Sequence, residues 1–204
     1  MVLKKNTPEF DLYRKLKWLT FFRVLFALVL LASATFVAMR EDVAFSTPPL
    51  FFLNAIAVLI ILLSILYAVI LGWTRRLVLL GYAEIIIDTL LITGIIFLTG
   101  SFSSIFSFLY LLVIIYASMI LFRNGGMVTA VLCSIQYGVM VDLEYYGIIH
   151  PFDVAPDSMI ANYDWNYVIF KLLMTILACF AVAFLAGYLS EQEKRAKRDL
   201  WAME

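Results

Sequence analysis

The chain has 204 residues, of which 64% are hydrophobic, and its 15 basic residues balance 15 acidic ones. A mean hydropathy of +0.98 excludes an ordinary soluble domain. The neutral balance says nothing about partners, but the charges cluster between apolar runs, and no nucleic-acid partner is expected.

The sequence predicts an all-α polytopic membrane protein. Thr7-Pro8-Glu9 reads as a helix start, with a capping threonine, proline in the first turn and an early acid. Phe10, Tyr13, Leu16 and Lys17 then suggest a short cytoplasmic interfacial helix within 1–17. A bilayer crossing needs about 20 apolar residues, and six stretches meet that test: 18–39, 50–72, 77–98, 104–122, 126–146 and 166–190. Gln136, Asp142 and Glu144 dilute the fifth. The first apolar run is too long for a cleaved leader, and none is expected.

Lysine and arginine in the connections set the orientation. One side carries Lys4, Lys5, Arg14, Lys15, Lys17, Arg75, Arg76, Arg123, Lys194, Arg195, Lys197 and Arg198. The other carries Arg40 beside Glu41, Asp42, Asp153, Asp157 and Asp164. Both termini are therefore expected in the cytoplasm, with 18–190 as the transmembrane domain and 191–204 as the start of a cytoplasmic helix.

Ionisable residues inside the spans are candidate functional groups, because a charge at mid-bilayer costs roughly 2.5–3.5 kcal/mol. They are Arg23, Glu84, Asp88 and Lys171. Glu84 and Asp88 are four apart, on one face of one helix. Asp88 lies about 16 Å past Leu77 along the helix axis, while Lys171 enters from the opposite side, nearer in depth to Asp142. Three readings of these charges stay open: ion pairs that set helix packing, a solute or proton site, and a signal-responsive polar core. Two carboxylates alone do not complete a metal site, so neither metal nor cofactor is expected. His150, before Pro151, reads as a loop residue, and Cys133 and Cys179 as small buried hydrophobes. No nucleophile elbow or phosphate-cradling glycine loop is present, and no catalytic residue is assigned.

After the sixth span the chain continues without a glycine or proline breaker from Glu191 to Glu204. Leu189, Ala196, Leu200 and Met203 fall at a and d positions of a heptad frame, but two heptads are too few to define a coiled coil. Two readings stay open: a transmitter helix that runs unbroken from bilayer to cytosol, and a solvated positive-inside stop-transfer tail.

The run Glu84-Ile85-Ile86-Ile87-Asp88-Thr89-Leu90-Leu91-Ile92-Thr93, then Phe97-Leu98-Thr99-Gly100, then Ser104-Ile105-Phe106-Ser107-Phe108-Leu109-Tyr110 and onward to Ser118, carries a resemblance. It resembles the third and fourth spans of the six-span input domain of PilS-type, pilin-regulating sensor histidine kinases. Arg23 matches an arginine that the family often carries early in its first span. Ser101 departs from a second glycine often found there, and Glu84 stands where a glutamine is frequent. The kinase region, with its phospho-accepting histidine box and ATP-binding glycine boxes, is missing from this sequence.

The resemblance implies a signal-input module of the bacterial inner membrane. Its parent would be a homodimeric, ATP-dependent protein histidine kinase acting on a response regulator. The implied signal is membrane-embedded pilin, and Gly94, Gly100, Ser101, Ser103, Ser104, Ser107 and Ser118 offer small residues for helix packing. The alternative is a six-span solute-binding transporter subunit, with Glu84, Asp88, Gln136 and Tyr163-Asp164-Trp165 as its pocket.

Overall fold

A computed structural model describes residues 8–40, 48–73, 77–149 and 164–202. The loop charges Glu41, Asp42, Arg75, Arg76, Asp153 and Asp157 lie outside the described residues, as do Lys4, Lys5, His150, Tyr163 and Met203. The side chains of Arg40, Lys197, Arg198 and Leu200 are likewise not described.

Among the described residues the secondary structure is helical throughout. Helix α1 spans Pro8–Arg40, α2 Pro48–Trp73 and α3 Leu77–Leu98. Two 3-10 turns, Ser101–Ser103 and Ile105–Phe108, lead into α4, Leu109–Tyr145, and α5 runs over Trp165–Ala202. Two of the helices run past the expected limits of their spans. The interfacial stretch and the first span form one helix of 33 residues, because no glycine or proline interrupts Glu9–Arg40. The last span and the exit segment likewise form one helix of 38 residues.

Helix α4 has 37 residues, about 55 Å if straight. It is not straight. Phe122 has φ 61° and ψ −164°, and there the chain folds back on itself. The rings of Tyr110 and Tyr137, 27 positions apart, come within 6.2 Å of each other. The expected spans leave 123–125 as the connection, but the helix has already resumed at Arg123. Gly125 and Gly126 serve closeness instead. A Cβ on Gly126 would lie 1.9 Å from Ser118 Oγ, and one on Gly125 2.2 Å from Leu121 Cβ.

The helices therefore alternate in direction, with α4 contributing two antiparallel rods. Among the described residues, four stretches are long and apolar enough to cross a membrane: Asn54–Leu71, Val78–Leu98, Ile105–Tyr145 and Trp165–Ala196. Large apolar side chains such as Phe21, Leu62, Leu90 and Phe170 face outward, as a lipid solvent requires.

Inside, three apolar clusters hold the rods together. One joins Ile96, Tyr110, Ile114, Cys133, Tyr137 and Cys179 from α3, both halves of α4, and α5. Another joins Leu16 and Leu19 of α1 to Leu71, Ile85, Val113 and Ala117. A third is Ala27, Ile60 and Ile95. Cys133 and Cys179 are both free and buried.

Candidate functional site

The buried stripe of α1 is Leu16, Leu19, Arg23 and Ala27, spaced three, four and four, so helical geometry turns Arg23 inward with its apolar neighbours. On α2 the stripe Ala57, Ile60, Ser64, Tyr67 and Leu71 follows the same rule and directs Tyr67 to the interior. Glu84 and Asp88 share one face of α3. Side-chain exposure is 6% for Arg23, 2% for Glu84 and 9% for Asp88, so all three are buried.

These stripes converge on one ion cluster. Arg23 Nη2 pairs closely with Asp88 Oδ2, and Nη1 lies 3.4 Å from Glu84 Oε1. The Tyr116 hydroxyl of α4 donates to Asp88 Oδ2 at 2.7 Å. The Tyr67 ring takes the guanidinium against its face at 5.1 Å from the centroid. The Arg23 guanidinium thus bridges two carboxylates that a single lysine ammonium would serve less well. With both carboxylates ionised, one cation faces two anions, and one negative charge is left over. Four helices contribute to the cluster.

Lys171 stands apart from it. Its ammonium donates to the Phe102 carbonyl and lies 4.2 Å from the Phe102 ring centroid, at the opposite end of the bundle from the basic N-terminal turns of α1. The physical reason is direction: α5 starts at that end, and Lys171 lies only six residues after Trp165.

Gln136 also misses the ion cluster. It bonds Thr93 Oγ1 at 2.9 Å and donates to Thr89 Oγ1 at 3.2 Å. Tyr110 meets the same Thr93 hydroxyl at 2.7 Å. This second polar chain ties α3 to both halves of α4. Of the three residues once grouped as an outer-loop pocket edge, Trp165 stacks on Tyr145 at 4.6 Å and Asp164 accepts from Asn166; Tyr163 is not described.

The small residues are engaged within the chain. Gly94 faces Ile56 of α2, and Ser118 faces Gly126. Gly100 has φ 107°, a conformation that favours glycine, and a Cβ there would lie 2.9 Å from Ser103 Oγ. The Ser103 hydroxyl donates to Gly100 O at 2.9 Å. Ser101 is fully buried. Ser104 accepts from Phe106 N and meets Thr99 Oγ1 at 2.6 Å, while Ser107 donates to the Ser104 carbonyl.

Beside the ion cluster lies a cavity of about 540 Å³ between α1 and the first half of α4. Arg23 and Asp88 form part of its floor. Phe22, Leu25 and Val29 on one wall and Leu112 and Ile115 on the other are exposed, so the cavity opens sideways toward lipid.

At the other end of the same rods, the fold-back of α4 touches both terminal helices. Lys15 of α1 donates to the Met119 carbonyl at 2.8 Å. Lys194 of α5 lies 4.3 Å from the Phe122 ring centroid and Lys15 lies 5.9 Å from it. Gly187 gives Arg123 its place, since a Cβ there would sit 3.1 Å from Arg123 Cγ.

The chain matches the family model of the PilS-like transmembrane domain over residues 7–200. It belongs to that family. No curated protein and no solved structure matches the chain. The PilS-like domain is thus a membrane protein whose family match extends from the start of α1 almost to the end of α5.

Sequence reasoning missed Tyr67 and Tyr116. The available signal was a phenolic tip within an otherwise apolar run, which needs a partner when buried.

Proposed function

We propose that this PilS-like domain is the signal-input module of a sensor histidine kinase. In this reading the chain crosses the inner membrane six times, α4 twice, with both termini in the cytoplasm. It detects a membrane-embedded signal, with pilin as the candidate, and passes it through α5 to a kinase region that acts on a response regulator. The working unit is a homodimer.

The observation that carries this reading is the lateral groove floored by Arg23 and Asp88. An apolar helix entering from the bilayer would lie against α1 and α4 while meeting the only charged pair along that wall. A donor or cation on such a helix would offset the surplus carboxylate. Asp88 holds Arg23 of α1 and Tyr116 of α4 at once, so a change in its partners moves α4 relative to α1. The far end of that half of α4 is the Phe122 turn, which grips α5 at Gly187 and Lys194. The basic residues Arg14, Lys15, Lys17, Arg123, Lys194 and Arg195 gather at this end, which supports its assignment to the cytoplasm.

The test joins the chain to a histidine-kinase region in vesicles, with and without a pilin transmembrane helix, and reads autophosphorylation. The wild type is expected to respond to pilin. Leu25→Trp combined with Leu112→Trp, which fills the groove from its exposed rims, is expected to keep basal phosphorylation and lose the response. An unchanged response in the filled variant would contradict the groove as the signal site.

A further inference from the structure

A second cavity, of about 410 Å³, lies at the opposite end of the bundle between the start of α4 and α5. Its wall on α5 is one helix face, running from Tyr167 and Lys171 through Met174 and Thr175 to Ala178. Ser107 and Leu111 line the facing side. The lining is graded. Tyr167, Lys171 and Ser107 lie near the end where α5 begins, and Ala178 lies about 10 Å deeper along the axis than Lys171. Trp165 and Tyr145, stacked on each other, mark the same end with the aromatic side chains that settle at the headgroup level.

Lys171 is the charged group of this lining. Among the described residues it makes no ion pair, and the Phe102 carbonyl takes one of its three N–H donors. Glu144 is the acid whose charge reaches it, but Glu144 is buried and does not line the cavity. A second unmet polar group lies behind the wall. The Tyr137 hydroxyl, on a side chain 1% exposed, stands beside the hydroxyls of Ser107 and Thr175 without a well-formed hydrogen bond. The cavity therefore offers the spare N–H donors of Lys171 and an apolar cleft leading inward.

We infer that this cleft is a binding site for a membrane phospholipid, whose phosphate is held by Lys171 and whose acyl chain lies along Leu111, Met174 and Ala178. A phospholipid in the leaflet at the α5 start has its phosphate at the level of the aromatic pair and its chain pointing toward mid-bilayer, the same order as the lining. A lysine a turn or two inside a helix reaches toward that level by extending its alkyl stem. An amphiphile in this cleft would touch Ser107 and Leu111 on one side and α5 on the other, bracing the exit helix against α4. The inference rests on the bilayer setting of the domain and is independent of what the groove at Asp88 receives.

The test uses the full chain purified in detergent and titrated with dioleoyl-phosphatidylglycerol, with lipids retained on each protein counted by native mass spectrometry. Dioleoylglycerol has the same tails without phosphate, and glycerol 1-phosphate has the phosphate without tails. The wild type is expected to retain one dioleoyl-phosphatidylglycerol and neither fragment. Lys171→Gln is expected to bind it about tenfold more weakly or worse, the size of one lost charge-assisted hydrogen bond. Lys171→Arg should keep the affinity, which separates lost recognition from lost folding. Met174→Trp, at a lipid-exposed position on the cleft, should block the lipid in a protein that melts like the wild type. Equal retention by wild type, Lys171→Gln and Met174→Trp would overturn the inference. So would retention of dioleoylglycerol as strong as that of the phospholipid, which would make the cleft an unspecific alkyl groove, or equal binding of glycerol 1-phosphate, which would make it a site for a soluble phosphate.

Discussion

Arg23 is the residue on which the ion cluster turns, since Glu84 and Asp88 are both buried and both answer to it. Removing one partner from a buried pair leaves an uncompensated charge and costs about 3–5 kcal/mol, more than the pair itself contributes. Arg23→Leu is therefore expected to destabilise the domain by about that amount in a denaturant titration of the purified protein. Adding Glu84→Gln and Asp88→Asn to Arg23→Leu should recover most of the loss, and an equal loss in the triple variant would mean that packing, not charge, sets the stability. The two acids are not equivalent. Asp88 pairs closely with Arg23 and accepts from Tyr116, whereas Glu84 holds Arg23 at 3.4 Å. Glu84→Gln should be mild, because the amide keeps a hydrogen-bonding group. Asp88→Leu should alter kinase output in the joined protein far more than it alters membrane insertion, and an untouched output would leave the cluster as ordinary packing. The acids and Arg23 were legible in the sequence because a charge in an apolar run has few explanations. Tyr67 and Tyr116 were not, because tyrosine is common in membrane proteins at the interface and nothing in its spacing says which partner it meets.

The element that the sequence described least well is α4. Two spans were expected at 104–122 and 126–146, and the backbone breaks at Phe122, the last residue of the first of them. Composition favours glycine at a turn, and here tertiary contact decides otherwise. Phe122 holds a backbone conformation that costs a non-glycine residue on the order of 1–3 kcal/mol, and its ring lies between Lys15 and Lys194. Gly125 and Gly126 let the returning rod approach Ala117, Ser118 and Leu121. A methyl group at Gly126 would collide with Ser118, so Gly126→Ala is expected to lower stability by about 1–3 kcal/mol, an overpacking cost. Ser118→Gly in the same chain removes both the Oγ and the Cβ that it strikes and should restore much of the loss. Thermal melting of the two single variants and the double variant gives the coupling, and strict additivity would show that the two positions do not meet. The run of α5 into the exit segment was easier to read, since an unbroken run of helix formers leaves little else to predict, whereas the start of α1 was expected as a separate short helix.

Across the whole molecule, the ion cluster and the exit helix lie at different levels, and the first half of α4 spans the distance between them. Tyr116 meets Asp88, and six and seven residues later, nearly two helical turns, Phe122 and Arg123 meet α5. The all-helical architecture and the stretches apolar enough to cross a membrane were legible from hydropathy, because those follow from the solvent alone. Which rods touch was not, since lipid-facing and partner-facing apolar side chains look alike in composition. If α5 carries the signal, its rotational phase matters more than its composition. Each inserted residue turns the downstream helix by about 100°, and seven residues return it nearly to phase. The most direct measurement is autophosphorylation of the chain joined to a histidine-kinase region, with alanines inserted after Arg195. One or two inserted alanines are predicted to lock output high or low, and seven to restore regulation. Equal regulation at every insertion length would contradict transmission through α5.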